Sequence, residues 1–350
     1  MPEQLTLSID AMGGDNAPDM VVEGIQVVLK KHPNLRFLLF GDESLLKQSL
    51  LNYPTAAAAC EVRHTPDVIT NEAKVAQALR AGRNSSMRLA INAVGAGEAA
   101  GVISAGNTGA LMAMAKFVLK TLPGIDRPAM PAYFPTMRGK SVMLDLGANV
   151  ECDAENLVQF AVMGEVFARI GLNIENPSVG ILNIGVEDLK GRQSVKDAAS
   201  ILQASDLPIK FHGFVEGDDI AKGTVDVIVT DGFTGNIALK TAEGTAKMFA
   251  TFLKDALTSS PLSMLGALLA KPALNKLKEH MDPRRYNGAM MLGLNGICVK
   301  SHGGTDGLGF AHAIAVAAEL AKHNINDAIK EDYARVKMDH SDRQDRAANE

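Results

Sequence analysis

The chain has 350 residues, 47% hydrophobic and 21% charged, with a formal net charge of −5. That length and composition describe a folded protein with a large core, and the acidic balance argues against a general polyanion binder. Trp is absent and aromatics make up only 5%, so the stacking platforms that hold single-stranded nucleic acid are missing and no nucleic-acid partner is expected.

The first ten residues lack a basic start followed by a long apolar run, so no signal peptide is expected. No run of 18 apolar residues predicts a transmembrane helix. Cys60, Cys152 and Cys298 are far apart, with neither CxxC nor His-paired spacing, which predicts no disulfide framework and no metal. A reducing, cytoplasmic location is the expectation.

Leu5–Ile9 reads as a strand running into DAMGGDN, Asp10–Asn16, after which Pro18 opens a helix. In that helix Val21, Ile25, Val28 and Leu29 fall on one face. Arg36–Phe40 reads as the next strand and Glu43–Leu51 as a helix. Further strands are predicted at Gly101–Ala105, Ser141–Leu146, Val179–Ile184 and Val225–Thr230. Strand–helix alternation of this kind predicts an α/β class with a mostly parallel sheet covered on both faces. Thr241–Asp255 reads as a continuous helix, followed by a Pro-interrupted helical tip. The division expected is one α/β domain of two closely packed lobes over 1–335, with a helical projection over 241–285, and a frayed polar tail over 336–350.

Ligands of open parallel sheets bind beyond the carboxyl ends of the strands. Six polar, glycine-bearing turns fall at such positions: Asp10–Asn16, Ala105–Ala110, Gly147–Asn149, Gly185–Arg192, Asp231–Asn236 and Lys300–Gly307. They are expected to meet on one edge of the sheet as a cleft of backbone donors and amides. AGNTGA is the best anion-site candidate, because Gly106 and Gly109 permit close approach and Asn107 and Thr108 stand where a helix begins. Asn107 or Thr108 as an ordinary N-cap explains the same residues. Lys190 reads either as a solvated lysine beside Glu187 and Asp188 or as a functional cation, Asn236 as an N-cap or a donor to substrate, and His302 as an acid–base or a structural group.

Asp42 follows the second strand where a ribose-binding acid of a nicotinamide enzyme stands, yet the first turn is not G-x-G-x-x-G and Asp15 repels a pyrophosphate. No G-x-S-x-G or Cys–His pairing supplies a nucleophile. Phosphate is itself a nucleophile, and a site built to hold it needs no other.

IDAMGGDNAP, SAGNTGA, DRPA, LDLGAN, GVEDLKG, TDGFTGN and KSHGGTD resemble, in order, the signature stretches of the bacterial acyl-acyl carrier protein:phosphate acyltransferases of phospholipid synthesis. The resemblance runs from about residue 5 to 330. It implies a Rossmann-like fold akin to the phosphotransacetylases and the isocitrate/isopropylmalate dehydrogenases, in a homodimer with a projecting helical element. It also implies transfer of a long-chain acyl group from acyl carrier protein to inorganic phosphate, without cofactor, yielding acyl phosphate. Lys190 and Asn236 match the family's active-site positions. Loop location adds Asp10, Gly13, Gly14, Asp15, Asn16, Ser104, Gly106, Asn107, Thr108, Gly109, Asn149, Asp231 and His302 as substrate or phosphate contacts.

On this reading the AGNTGA amides and Ser104 hold phosphate, Lys190 supplies positive charge to it and to the oxyanion, and Asn236 donates a hydrogen bond to one of them. Asp10 and Asp15 order their loop, by bonding N–H groups or pairing with Lys190; the alternative has Asp15 protonated or facing the pantetheine arm. The acidic carrier protein needs a basic dock, either Lys74, Arg80, Arg83 and Arg88, or Lys271, Lys276, Lys278, Arg284 and Arg285. Leu262, Met264, Leu265, Leu268 and Leu269 beside lysines suit a membrane interface or a dimer contact. Peripheral attachment to the inner membrane surface, near the downstream glycerol-3-phosphate acyltransferase, follows from the resemblance. The rivals are a short-chain acyl-coenzyme A enzyme, a nicotinamide-dependent decarboxylating dehydrogenase and a non-catalytic membrane-surface scaffold.

Overall fold

The computed structural model describes residues 4–205, 209–280 and 282–335. Short apolar runs form the strands β1 (Leu5–Asp10), β2 (Leu35–Gly41), β3 (Cys60–His64), β4 (Gly101–Ser104), β5 (Ala132–Thr136) and β6 (Gly139–Leu144). They continue as β7 (Ser178–Leu182), β8 (Lys210–Val215), β9 (Val227–Val229), β10 (Ala289–Met290) and β11 (Ile297–Lys300). The expected α/β class is present, with predominantly parallel pairing. The antiparallel pairs are β10 with β11 and β5 with β6.

The strands divide between two sheets rather than filling one. The first has the order β10-β11-β4-β1-β2-β3 and the second β5-β6-β9-β7-β8. In the first, the chain builds outward from β1 through β2 to β3 and then returns to the other side with β4. The order therefore reverses between β1 and β4, where Asp10 stands in register with Ser104. In the second, β9 inserts between β6 and β7, so the reversal lies between β7 and β9. Crevices at such reversals are where open α/β sheets bind ligands.

One apolar core joins the two sheets. Leu7, Ile9 and Ile103 of the first and Val142, Val179 and Val227 of the second pack with Phe160 and Phe167 of the helix Ala154–Gly171 and Phe310 of the helix Gly307–Lys322. Separate clusters cover the outer faces, around Met87, Ile91 and Met114 on the first sheet and around Met143, Val215 and Ile228 on the second. Hydrophobic strands buried on both faces are what parallel sheets require.

Glu165 lies within this core region and is only 7% exposed, with Arg169 at 3.4 Å and Asp332 nearby. Burial, more than the other influences, pushes its carboxyl up to about 7, against the Arg169 charge. An acid whose folded pKa is raised stabilises the fold fully below its unfolded value of about 4.3 and loses that contribution as pH rises through about 7. Glu165→Gln is therefore expected to match the wild type near pH 4 and to exceed it by about 1–3 kcal/mol at pH 8, read from urea midpoints. Equal stability at both pH values would sink this account.

The helix Gly232–Thr258 is longer than the predicted Thr241–Asp255, because Asp231 caps it and the GFTGN part of the TDGFTGN turn is already helical. It is followed by the helix Pro261–His280, which runs through Pro272 without ending there. Proline removes one N–H→C=O bond, and a solvent-facing helix absorbs that loss. The two helices expose a row of large apolar side chains: Met248, Phe249, Phe252, Leu262, Met264, Leu265, Leu268 and Leu269. The predicted tail 336–350 lies outside the described residues, as do the side chains of Lys278 and Arg285.

Candidate active site

The six turns gather as two groups of three, one at each sheet's reversal point. Two sheets with separate carboxyl edges make this necessary. After β1, β4 and β11 come Asp10–Asn16, Ala105–Ala110 and Lys300–Gly307; after β6, β7 and β9 come Gly147–Asn149, Gly185–Arg192 and Asp231–Asn236.

In the first group Asp10 is 1% exposed, and its two carboxylate oxygens accept from the hydroxyls of Ser86 and Ser104, each at 2.6 Å. Burial raises the Asp10 carboxyl above its usual range, with the two hydroxyls and Lys300 acting against that rise. Ser104 Oγ also accepts from Gly106 N–H at 3.0 Å, so both its roles serve the turn. A Cβ on Gly13 would lie 2.5 Å from the Asp10 carboxylate and 2.7 Å from the Gly106 nitrogen, which is why glycine stands there. Gly14 has φ +106°, and its neighbour Asp15 donates its N–H to the Gly303 carbonyl at 2.9 Å. Only a residue without Cβ adopts that backbone at no cost.

Asp15 is exposed, and its carboxylate accepts from Asn71 Nδ2 at 2.8 Å. The expected pairing of Asp10 and Asp15 with Lys190 does not occur. The lysine whose charge both acids feel is Lys300, because β11 lies beside β4 and Lys190 belongs to the other sheet. Asn16 Nδ2 donates to the Thr305 carbonyl at 3.1 Å, tying the first turn to the third. Asn107 is the N-cap of the helix Thr108–Leu119, accepting from Ala110 N–H, while its Nδ2 donates to the carbonyls of Asn71 and Ala73. Thr108 and Gly109 form the helix's first turn. His302 Nδ1 accepts from Gly304 N–H at 3.1 Å, and the His302 backbone N–H donates to Asn287 Oδ1 at 2.9 Å.

In the second group the organising residue is Asp145, fully buried at the end of β6. Its carboxylate accepts from the N–H groups of Met130, Ala148 and Asn149 and from Asn149 Nδ2. Asn149 in turn donates to the Pro128 carbonyl at 2.8 Å, and its own carbonyl accepts from Gly232 N–H at 2.7 Å. That bond sets the start of the helix carrying Asn236, whose side chain borders Gly147. Asp231 caps this helix through Thr234 N–H and pairs with Arg192 at 3.0 Å. Arg192 thereby joins the turn after β7 to the turn after β9. Lys190 is half-exposed, and its Nζ lies 2.8 Å from Glu187, which holds the ammonium above its ordinary range.

Ser86, Asn71, Lys300, Asp145 and Arg192 are contacts that sequence reasoning missed. Lys300 and Asp145 both lay inside quoted motifs, as the charged residues ending an apolar strand, and that position was the available signal. Asp42, weighed as a ribose-binding acid, caps the helix Glu43–Leu50 through Ser44 and Leu45. Arg284, assigned to a basic dock, is partly exposed and pairs with Asp282 and with Asp306 at 2.8 Å. In the first patch Arg88 stacks over the exposed Phe117 ring at 5.0 Å. Among the described residues no cluster of His, Cys, Asp and Glu has the make-up of a metal site.

Residues 5–328 match the family model described as fatty acid synthesis protein. The proteins named phosphate acyltransferase from Rhodospirillum centenum and Paramagnetospirillum magneticum are 63% and 59% identical, each over 96% of this chain and covering 95% and 96% of their own. Among solved structures, a phosphotransacetylase from Streptococcus pyogenes superposes with a TM-score of 0.63 at 16% identity, covering 92% of this chain and 95% of its own. The EutD phosphotransacetylase from Staphylococcus aureus gives 0.59 at 15%, over 91% and 94%. At those identities the likeness is one of fold. With two carboxyl-edge turn groups on such a fold and near-complete coverage at this identity, the chain belongs to the fatty acid synthesis protein family whose relatives are named phosphate acyltransferase.

Proposed function

We propose that the protein transfers a long-chain acyl group from acyl-acyl carrier protein to inorganic phosphate, giving the acyl phosphate used in phosphatidic acid synthesis. The identity to named phosphate acyltransferases over nearly the whole chain carries this reading. The two turn groups support it chemically. Phosphate attack on a thioester needs the anion held and desolvated, the oxyanion stabilised and a thiol released. A thiol with a pKa of about 8.5 leaves as thiolate with little acid help. Holding both reactants in line accounts for about 7–11 kcal/mol of the barrier, and one oxyanion donor for about 3–4 kcal/mol.

In this reading the first group's turns take phosphate, with Asp10, Gly13 and Ser104 shaping the seat and the helix start at Thr108 and Gly109 facing it. Lys190 and Asn236 act on the oxyanion. Incubation with palmitoyl-acyl carrier protein, with and without phosphate, followed by hydroxylamine trapping and mass spectrometry, tests the reaction. Phosphate-dependent acyl hydroxamate is the expected product. Turnover of acetyl-coenzyme A but not of the carrier-bound acyl group would instead favour a short-chain enzyme.

The carrier protein docks on the patch of Lys74, Arg80, Arg83 and Arg88, where an exposed Phe117 adds an apolar contact beside the cations. The helices Gly232–Thr258 and Pro261–His280 serve as a dimer stem with a lipid-facing tip, supported by their exposed apolar row. No helix among the described residues is long and apolar enough to cross a membrane. Leu265→Glu with Leu268→Glu is expected to abolish co-sedimentation with anionic liposomes while the protein remains dimeric. Unchanged sedimentation of a dimeric double variant would remove the lipid role.

A further inference from the structure

The turns that close over the β1–β4 crevice carry two carboxylates, and a phosphate dianion seated there faces both. Asp10 cannot turn away, because Ser86 and Ser104 hold its two oxygens in a fully buried position. Asp15 sits at the rim, anchored through its N–H to Gly303 and through its carboxylate to Asn71. Two like charges facing an anion at this range disfavour its binding unless a cation stands among them.

Lys300 is that cation. It ends β11 in register with Ser104 on β4, so its side chain rises from the same edge of the sheet. Its Nζ donates to the Ala105 carbonyl at 3.2 Å and to the Ser301 carbonyl. Ala105 is the residue between Ser104 and the Gly106–Asn107 turn, so the ammonium grips the strand end from which the helix Thr108–Leu119 starts. The charged and titratable groups facing Lys300 are Asp10 from β1, Asp15 from the turn after it, and Cys298 from its own strand.

We propose that Lys300 is a positioning residue for the phosphate acceptor: it holds the Ala105 carbonyl and cancels the charges of Asp10 and Asp15, so that the first group of turns accepts an anion. The inference rests on phosphate being the substrate bound at those turns. It assigns Lys300 no contact with the reacting atoms; Lys190 and Asn236 keep those roles. Burial pulls the Lys300 ammonium down to about 8, which makes its charge sensitive to mildly alkaline pH. Cys298 is pushed up to about 12 and stays neutral there, and Lys190, raised by Glu187, stays charged.

The test measures KM for inorganic phosphate and for palmitoyl-acyl carrier protein separately. Lys300→Met is expected to raise the phosphate KM about tenfold or more and to leave the acyl-donor KM within about twofold. Adding Asp15→Asn in the same chain is expected to recover at least about threefold of that loss, because the uncompensated charge is gone. A folded Lys300→Met protein with wild-type phosphate KM, or a double variant with no recovery, overturns the proposal. If Lys300→Met does not fold, the wild type decides. Its phosphate KM is expected to rise about fivefold or more between about pH 7.5 and 9.5 as Lys300 loses its proton, and a flat profile overturns the proposal. Wild-type protein that forms no acyl phosphate at all would instead remove the functional reading itself, and this inference with it.

Discussion

Lys190→Ala is expected to lower phosphate-dependent acyl transfer by about a hundredfold or more while leaving the unfolding midpoint unchanged. The side chain is half-exposed and its visible partner is Glu187, a surface pair three residues away. Such pairs add little to stability, so a structural role predicts almost nothing on substitution. A cation aimed at charge that develops during reaction predicts the opposite: a loss in kcat with a modest change in KM. The Glu187 contact keeps the ammonium charged throughout the neutral range, so the wild-type rate should not fall near pH 8 through this group. Lys190→Arg should recover part of the loss, since charge is restored but its shape is not. An alanine variant with wild-type kcat would remove Lys190 from the reaction.

Asp145→Ala should give the largest loss of stability, about 3–5 kcal/mol in urea unfolding at unchanged m-value. The carboxylate is completely buried and accepts from four donors, the backbone N–H groups of Met130, Ala148 and Asn149 and the Asn149 side chain. Alanine leaves the three backbone N–H groups without this acceptor, and each such group costs about 1–3 kcal/mol before water and relaxation recover some of it. The effect should reach function as well. Asn149 sets the position of Gly232, and the helix beginning there carries Asn236. Asp145→Asn keeps one acceptor oxygen and is expected to fall between the two. A fully stable alanine variant would mean that the Gly147–Asn149 turn holds itself together without this carboxylate.

How much of the site was legible depends on how far its signals reach along the chain. The N-cap Asn107 is local: it accepts an N–H three residues on, and a residue-type reading finds it, whereas Asn236, the N-cap alternative of the later turn, lies inside the helix that Asp231 caps. The turn motifs are local as well, since glycine at Gly13 or Gly14 answers to a backbone demand within a few residues. The partners of those turns are not local. Asn71 reaches Asp15 across 56 residues, Ser104 reaches Asp10 across 94, and Lys300 reaches Ala105 across 195. Nothing in the spacing of lysines says whether Lys190 or Lys300 answers Asp10, and the nearer choice in sequence was the wrong one.

The sequence by itself determined the α/β class, the strand–helix alternation, the six turns and, through its motifs, the family. Those properties follow from apolar periodicity and turn chemistry, which act over a handful of residues. Only the tertiary structure decided that the turns form two groups, that β9 enters between β6 and β7, and that Arg284 pairs with Asp306. Strand order is set by which buried faces fit together across the whole core, and the charges then pair with whatever the strands bring beside them.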